Sequence, residues 1–311
     1  MAFSSLRALI GGGGAGDARG VFGGGYSDAK INVIDFITIA TEGDASNFGD
    51  LTQSRQGVNA TSNGVTGRGV FGGGEPASGY SNVLDFITIA TEGDASNFGD
   101  LTVALSSIAA TSNGTSDRGV FGGGRAASDS NVIGYISISS AGDAANFGDL
   151  TTARALPAAT SNGTSDRGVF GGGNTDPSYS NVLDFITISS AGDASNFGDL
   201  TVARQGLTAT SNGTTGRGVF GGGYDGSSSN VLDFITISSE GDASNFGDLT
   251  AATYVPAATS NGTEDRGVFG GGSAGGSTNV ISFITISSEG DASNFGDLTV
   301  GRMRLGATSN A

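Results

Sequence analysis

The string RGVFGGG stands at residues 217–223, NVLDFITI at 230–237, NFGDLT at 245–250 and ATSN at 258–261. RGVFGGG occurs six times, beginning at Arg19, Arg68, Arg118, Arg167, Arg217 and Arg266, and close variants of the other three strings follow it each time in the same order. The modules are therefore 49 or 50 residues long, and such a period marks a repeat architecture rather than two ordinary domains. Each string reads as a strand. The run from Asn230 to Ile237 is rich in β-branched and aromatic residues, is bounded by Ser and Gly clusters, and carries Val231, Ile235 and Ile237 on one face against Leu232, Phe234 and Thr236 on the other. Two apolar faces suit a sheet sandwiched between neighbours. Asn-Gly steps such as Asn212-Gly213 supply the positive φ of tight hairpins, and triplets such as Gly221 to Gly223 permit close backbone approach.

Four short strands in up-and-down order, here a to d, make one blade, and one blade alone cannot bury both apolar faces. Six must stack, and six can close. The expected fold is all-β: a six-bladed β-propeller of four-stranded antiparallel blades over residues 16–311, its ring closed by pairing of the chain ends. An open β-solenoid is the other repeat architecture, but its rungs are shorter than these modules. Residues 19–52 supply strands b, c and d of the first blade, while the chain ends with an extra strand a at residues 306–310. That C-terminal strand is expected to complete the first blade, leaving residues 1–15 as a tether, a cap or a degenerate first strand. The competing arrangement uses Leu6 to Ile10 and leaves Leu305 to Asn310 free.

Composition narrows function by exclusion. The 311 residues include neither Cys nor His, which removes thiol chemistry, the commonest general base and the commonest transition-metal ligand. A net charge of −16, with Lys30 the single lysine, disfavours nucleic acid and anionic membranes as partners. No apolar stretch long enough to span a bilayer is present, and Met1 to Ile10 lacks the features of a signal peptide. Synthesis in a cytoplasm is expected.

The four strings resemble the kelch repeat. Val219-Phe220-Gly221-Gly222 matches its hydrophobic strand with a glycine doublet, Phe234 its aromatic, and Phe246 with Leu249 its Trp–Leu pair. Arg55, Arg154, Arg204 and Arg302 stand where an arginine commonly follows. Phe replaces Trp throughout, and Leu105 and Thr253 interrupt the arginine series. The wording of the modules also resembles repeats of virion structural proteins of marine tailed phages, cyanophages especially. That resemblance implies a structural or adhesive virion protein, made in the host cytoplasm, whose partners are other virion proteins or a host-surface glycan or protein. Symmetric self-association in the particle is compatible with it. The alternative is a free bacterial kelch-like module that binds carbohydrate or protein.

The copies differ in two places. One is the b–c loop after each glycine triplet, and the other is the stretch after each Leu-Thr, such as Gln53 to Val58 or Val202 to Leu207. In an up-and-down blade both emerge on the same side of the disc, so variation is expected on one face. Either this face recognises a partner, as loops on rigid scaffolds often do, or its loops have drifted. Tyrosine, a low-entropy amphipathic contact residue, favours recognition. The candidate partner-binding residues are Tyr26, Asp28, Glu75, Tyr80, Arg125, Asp129, Asp176, Tyr179, Tyr224 and Asp225.

Catalysis, cofactors and metal are not expected. Each module carries two aspartates, such as Asp242 and Asp248, whose spacing fits no EF-hand. A turn role with pairing to the arginine of RGVFGGG is the expected use. Paired carboxylates also serve glycoside hydrolysis, yet six equivalent pairs lack the asymmetry an acid and a nucleophile require. No Gly-Lys-Ser/Thr follows the glycines, so phosphate-loop chemistry is not indicated. Asn113-Gly114-Thr115 fits a glycosylation pattern that its turn explains sufficiently.

Overall fold

Each RGVFG segment is a strand whose two glycines face atoms of the preceding and the next blade, where no side chain fits. A Cβ at Gly23 would stand 2.7 Å from the Phe71 ring, and one at Gly20 2.8 Å from Thr259 Cγ2. The intervening Val21 and Phe22 are completely buried. A computed structural model describes residues 18–64, 66–163, 165–213, 215–260 and 264–310. These form 24 strands, β1 (Arg19–Gly23) to β24 (Gly306–Ser309), grouped as six separate four-stranded sheets. The sheets are the blades of a six-bladed β-propeller.

The second blade shows the order: β4 (Asn59–Thr61), β5 (Arg68–Gly72), β6 (Val83–Thr88) and β7 (Ser96–Asp100) pair as sequential antiparallel neighbours. The ATSN strands are innermost and line an axial channel, with Ser62, Ser112, Ser161, Ser211, Ser260 and Ser309 among its walls. In each blade the register between strands c and d shifts by one residue, as between Ile34 and Asp35 opposite Gly49 and Asn47. This bulge leaves Phe48 unpaired in the ladder, and its ring is buried. The Phe48 ring meets Phe36 edge to face at 6.0 Å, and five other blades repeat the contact.

The core lies between blades rather than within one. Val21, Ile34 and Phe48 of the first blade pack with Phe71, Ile87 and Ile89 of the second. Burying one such side chain is worth about 1.5–3 kcal/mol, so the stack of interfaces, more than any single sheet, holds the disc.

The ring closes with the C-terminal strand. β24 pairs antiparallel with β1, placing Ala307 opposite Phe22 and Gly306 opposite Gly23, and the first blade has the order β24–β1–β2–β3. Here β2 is Val33–Thr38 and β3 is Ser46–Asp50. Leu305 to Asn310 is therefore engaged, which excludes the arrangement that leaves it free. The expected tether, residues 1–15, lies outside the described residues.

A belt of hydrogen bonds ties the outer edges together. Gly93 N donates to Phe48 O and Ala95 N to Asp50 O, both at 2.8 Å, and the Asp94 carboxylate accepts from Asp50 N at 3.0 Å. The aspartate cap recurs at all six junctions. A Cβ at Gly99 would overlap the Gly142 carbonyl of the next blade, whereas one at Gly93 meets nothing within 4 Å. Both positions have similar φ, 155° and 151°. Gly99→Ala is therefore expected to cost about 1–3 kcal/mol more than Gly93→Ala, read by denaturant unfolding. Equal costs would show that the close approach between blades does not matter.

Candidate recognition face

The d–a connections carry one residue per blade in the left-handed region: Gly57, Ser107, Leu156, Gly206, Val255 and Arg304, with φ between 50° and 65°. That conformation turns each peptide toward the axis. Gly57 N donates to Arg304 O, Arg304 N to Val255 O, Val255 N to Gly206 O, Gly206 N to Leu156 O, Leu156 N to Ser107 O, and Ser107 N to Gly57 O, at 2.7–3.1 Å. The six peptides form a closed hydrogen-bonded bracelet at one end of the channel. Every one of these donors and acceptors is satisfied, although Leu156, Val255 and Arg304 hold a conformation unfavourable for their side chains.

Outside the bracelet the two variable stretches run side by side. Within each blade an isolated bridge joins the d–a connection to the b–c loop: Met303 with Tyr26, Gln56 with Glu75, Ser106 with Arg125, Ala155 with Asn174, Gln205 with Tyr224, and Tyr254 with Ser273. The variable residues thus share one face of the disc, while the near-invariant turns occupy the other.

Of the charged candidates, Glu75, Arg125, Asp129 and Asp176 lie on blades two to four and are held in ion pairs. Lys30 Nζ lies 2.8 Å from Glu75 Oε1, and this cation holds the Glu75 carboxyl below its ordinary range. Arg125 pairs with Asp129 at 2.7 Å and with Asp176 at 3.4 Å. Asp28 and Asp225 are exposed at loop tips, and Tyr80 is exposed on the second blade.

The tyrosines divide differently. Tyr26 bridges to Met303 and Lys30 in the first blade, apart from Tyr80. Tyr179 and Tyr224 come together across a blade junction, their rings 5.9 Å apart at 83°. Tyr224 meets Tyr254 in turn, at 5.6 Å and 59°. Three rings from consecutive blades therefore make one row. Burial pushes the Tyr254 phenol above its ordinary value, and the Arg304 guanidinium against it opposes that shift. Tyr254 and Arg304 were not among the sequence candidates. Both lie in the second variable stretch, and only the fold sets them beside Tyr224.

Two other arrangements were not anticipated. The aspartates of G-D-[AS]-x-N-F-G-D do not pair with the arginine of RGVFGGG. The first of them caps the neighbouring blade's backbone, as Asp94 does for Asp50. That arginine reaches instead to the Glu two residues before it, Arg19 to Glu92 at 3.1 Å and Arg167 to Glu240 at 2.9 Å. It also lies over the strand-c aromatic of its own blade, as Arg19 does over Phe36 at 4.4 Å. Where Ala141 and Ala191 replace the Glu, Arg68 and Arg118 donate to carbonyls of the next blade. Among the described residues no three acidic side chains converge as metal ligands would.

The second is a plug inside the blades. Arg55, Arg154, Arg204 and Arg302 are completely buried and pair with Asp85, Asp184, Asp233 and Asp35, themselves completely buried, at 2.5–3.0 Å. Burial lowers the guanidinium pKa values, the paired carboxylates opposing. Arg55 also donates to Gly73 O and to Val83 O, the latter accepting from Gly73 N as well. In the third blade Leu105 faces Gly134, and in the sixth Thr253 faces Ser282. Both charges are absent together, and small cavities of about 10 Å³ and 30 Å³ remain at these places.

No protein-family model matches this chain, and comparison with curated proteins finds no match.

Proposed function

We propose that this propeller is a non-enzymatic structural or adhesive component of a tailed-phage virion, and that its variable face binds a host-surface molecule or a neighbouring virion protein. The observation that carries the reading is the segregation of variation. The loops that change from copy to copy are hydrogen-bonded together on one face, around a rigid bracelet, while the packing positions repeat almost unchanged. A rigid scaffold with adaptable loops is the usual layout of a recognition surface. The resemblance of the modules to kelch repeats and to phage virion repeats supplies the setting, and the likeness of six acidic pairs speaks for binding over catalysis.

The test combines location and contact. An antibody to the propeller should label purified particles, and replacing Tyr26, Tyr80, Tyr179 and Tyr224 together with Ala should weaken partner or cell binding at least tenfold without lowering the melting temperature of the ring. Unchanged binding by that variant would remove the recognition face from consideration. Absence from particles, with binding intact, would favour the free bacterial module.

A further inference from the structure

At the end of the axial channel opposite the bracelet, each inner strand leaves the blade through an Asn-Gly corner. Two of these corners are the same in sequence. Residues 109–124 and 158–173 both read AATSNGTSDRGVFGGG. They also fold alike. Asn113 Oδ1 accepts from Ser116 N at 3.2 Å and from Ser116 Oγ at 2.8 Å, and Asn162 Oδ1 accepts from Ser165 N and Oγ at the same distances. Gly114 and Gly163 take φ of 73° and 72°, and the N–H of each is directed at the hydroxyl of the serine two residues before it. Asn113 is 1% exposed and Asn162 2%, so solvent access does not distinguish them.

What differs is the residue that the next blade presents. Asn113 Nδ2 donates to Asp166 Oδ1 at 2.6 Å, as Asn63 Nδ2 does to Asp117 at 2.8 Å and Asn212 Nδ2 to Asp265 at 2.5 Å. Opposite Asn162 the position is held by Gly216, where a Cβ would stand 3.7 Å from Asn162 Nδ2. The Asn162 amide therefore meets a glycine where the other three meet a carboxylate. A fifth pair, Asn261-Gly262, lies outside the described residues.

An Asn-Gly pair is open to deamidation because glycine, without a Cβ, leaves its backbone nitrogen unhindered. That nitrogen loses its proton and attacks the asparagine Cγ. The Cγ–Nδ2 bond breaks, and the amide departs with the proton as ammonia. Water then opens the succinimide at either carbonyl, leaving aspartate or isoaspartate. Negative charge builds on the attacking nitrogen and then on Oδ1, and the product is itself a carboxylate. A fixed carboxylate against Nδ2 opposes this charge at each stage. By accepting from Nδ2 it also makes Cγ a poorer electrophile. Beside Gly216 neither effect operates.

We propose that, of the four described corners, Asn162 is the site at which the folded propeller is modified, by deamidation to aspartate and isoaspartate. The aspartates across the other junctions hold Asn63, Asn113 and Asn212 as amides.

The folded protein, kept at mildly alkaline pH in water enriched in heavy oxygen, reports the rate at each corner through mass spectrometry of its peptides. Asn162 should take up label about tenfold faster than Asn113. Gly216→Asp should slow Asn162 to the rate of Asn113, and Asp166→Gly should raise Asn113 to the rate of Asn162. Both replacements are residues that other blades hold at this place in the same left-handed backbone, with φ between 52° and 71°, so the ring is retained. In guanidinium, where the two identical strings have no neighbouring blade, Asn113 and Asn162 should react at equal rates. Equal rates in the folded ring, no label at Asn162, or unchanged labelling of Asn162 in the Gly216→Asp variant would overturn the proposal. So would a tenfold gap that persisted in guanidinium, since the fold would not be its cause.

Discussion

Deletion of residues 302–311 is expected to destroy the cooperative fold. The segment supplies the whole of β24, the buried Leu305 and Ala307, and the guanidinium that neutralises Asp35 inside the first blade. An unpaired buried Asp35 costs about 3–5 kcal/mol. Loss of the Leu305 side chain adds about 1.5–3 kcal/mol, and total stability of a domain is about 5–15 kcal/mol. The deletion also bares the inner edge of β1, an open row of donors and acceptors on which other chains can pair. Thermal unfolding followed by circular dichroism should lose its sharp transition, and size-exclusion chromatography should show association. An unchanged melting temperature would mean that the ring is held by something other than this strand.

The second large effect concerns the plugs. Arg55→Leu alone leaves Asp85 buried without a cation, and Asp85→Gly alone leaves Arg55 without an anion. Each is expected to cost about 3–5 kcal/mol. The double variant reproduces the pair that the third blade already carries, Leu105 with Gly134. Its cost should fall to about 1–2 kcal/mol, set by a small void and by glycine in a strand. Denaturant unfolding of the four proteins closes a double-mutant cycle. If the double variant is as damaged as the sum of the singles, the two residues do not act as a unit, and the joint loss in the third and sixth blades has another origin.

The frame of this molecule was legible because each blade repeats the same local solution. RGVFG carries its glycines where the next blade's Phe and the preceding blade's Thr must fit, and four such strings at a fixed period leave few alternatives to stacked sheets. The extra strand at the C-terminus could be counted in the sequence. What escaped reading was everything that joins one module to another. Arg55 and Asp85 lie 30 residues apart, and each alone resembles a surface charge, so the sequence pointed away from a shared interior. The signal was nevertheless present: the two copies that lack the arginine also lack the aspartate. Asp94 reads as a turn residue of its own module, yet its carboxylate serves Asp50 of the preceding blade, a contact that exists only once blades are side by side. Tyr179 and Tyr224 were visible as variable-loop aromatics. Tyr254 was not, since it belongs to a different stretch and joins the row only through the curvature of the ring.

The bracelet bears on how such a gene can change. Tandem copies this similar are prone to unequal recombination, which adds or removes whole units. A cycle of six hydrogen bonds, each from one module to the next, tolerates no spare member and no missing one without being rebuilt at a different radius. The strand borrowed from the far end imposes the same rule, because any recombinant must still begin at strand b and finish at strand a. Copy number is thus fixed by geometry while the loops outside the cycle remain free to diversify.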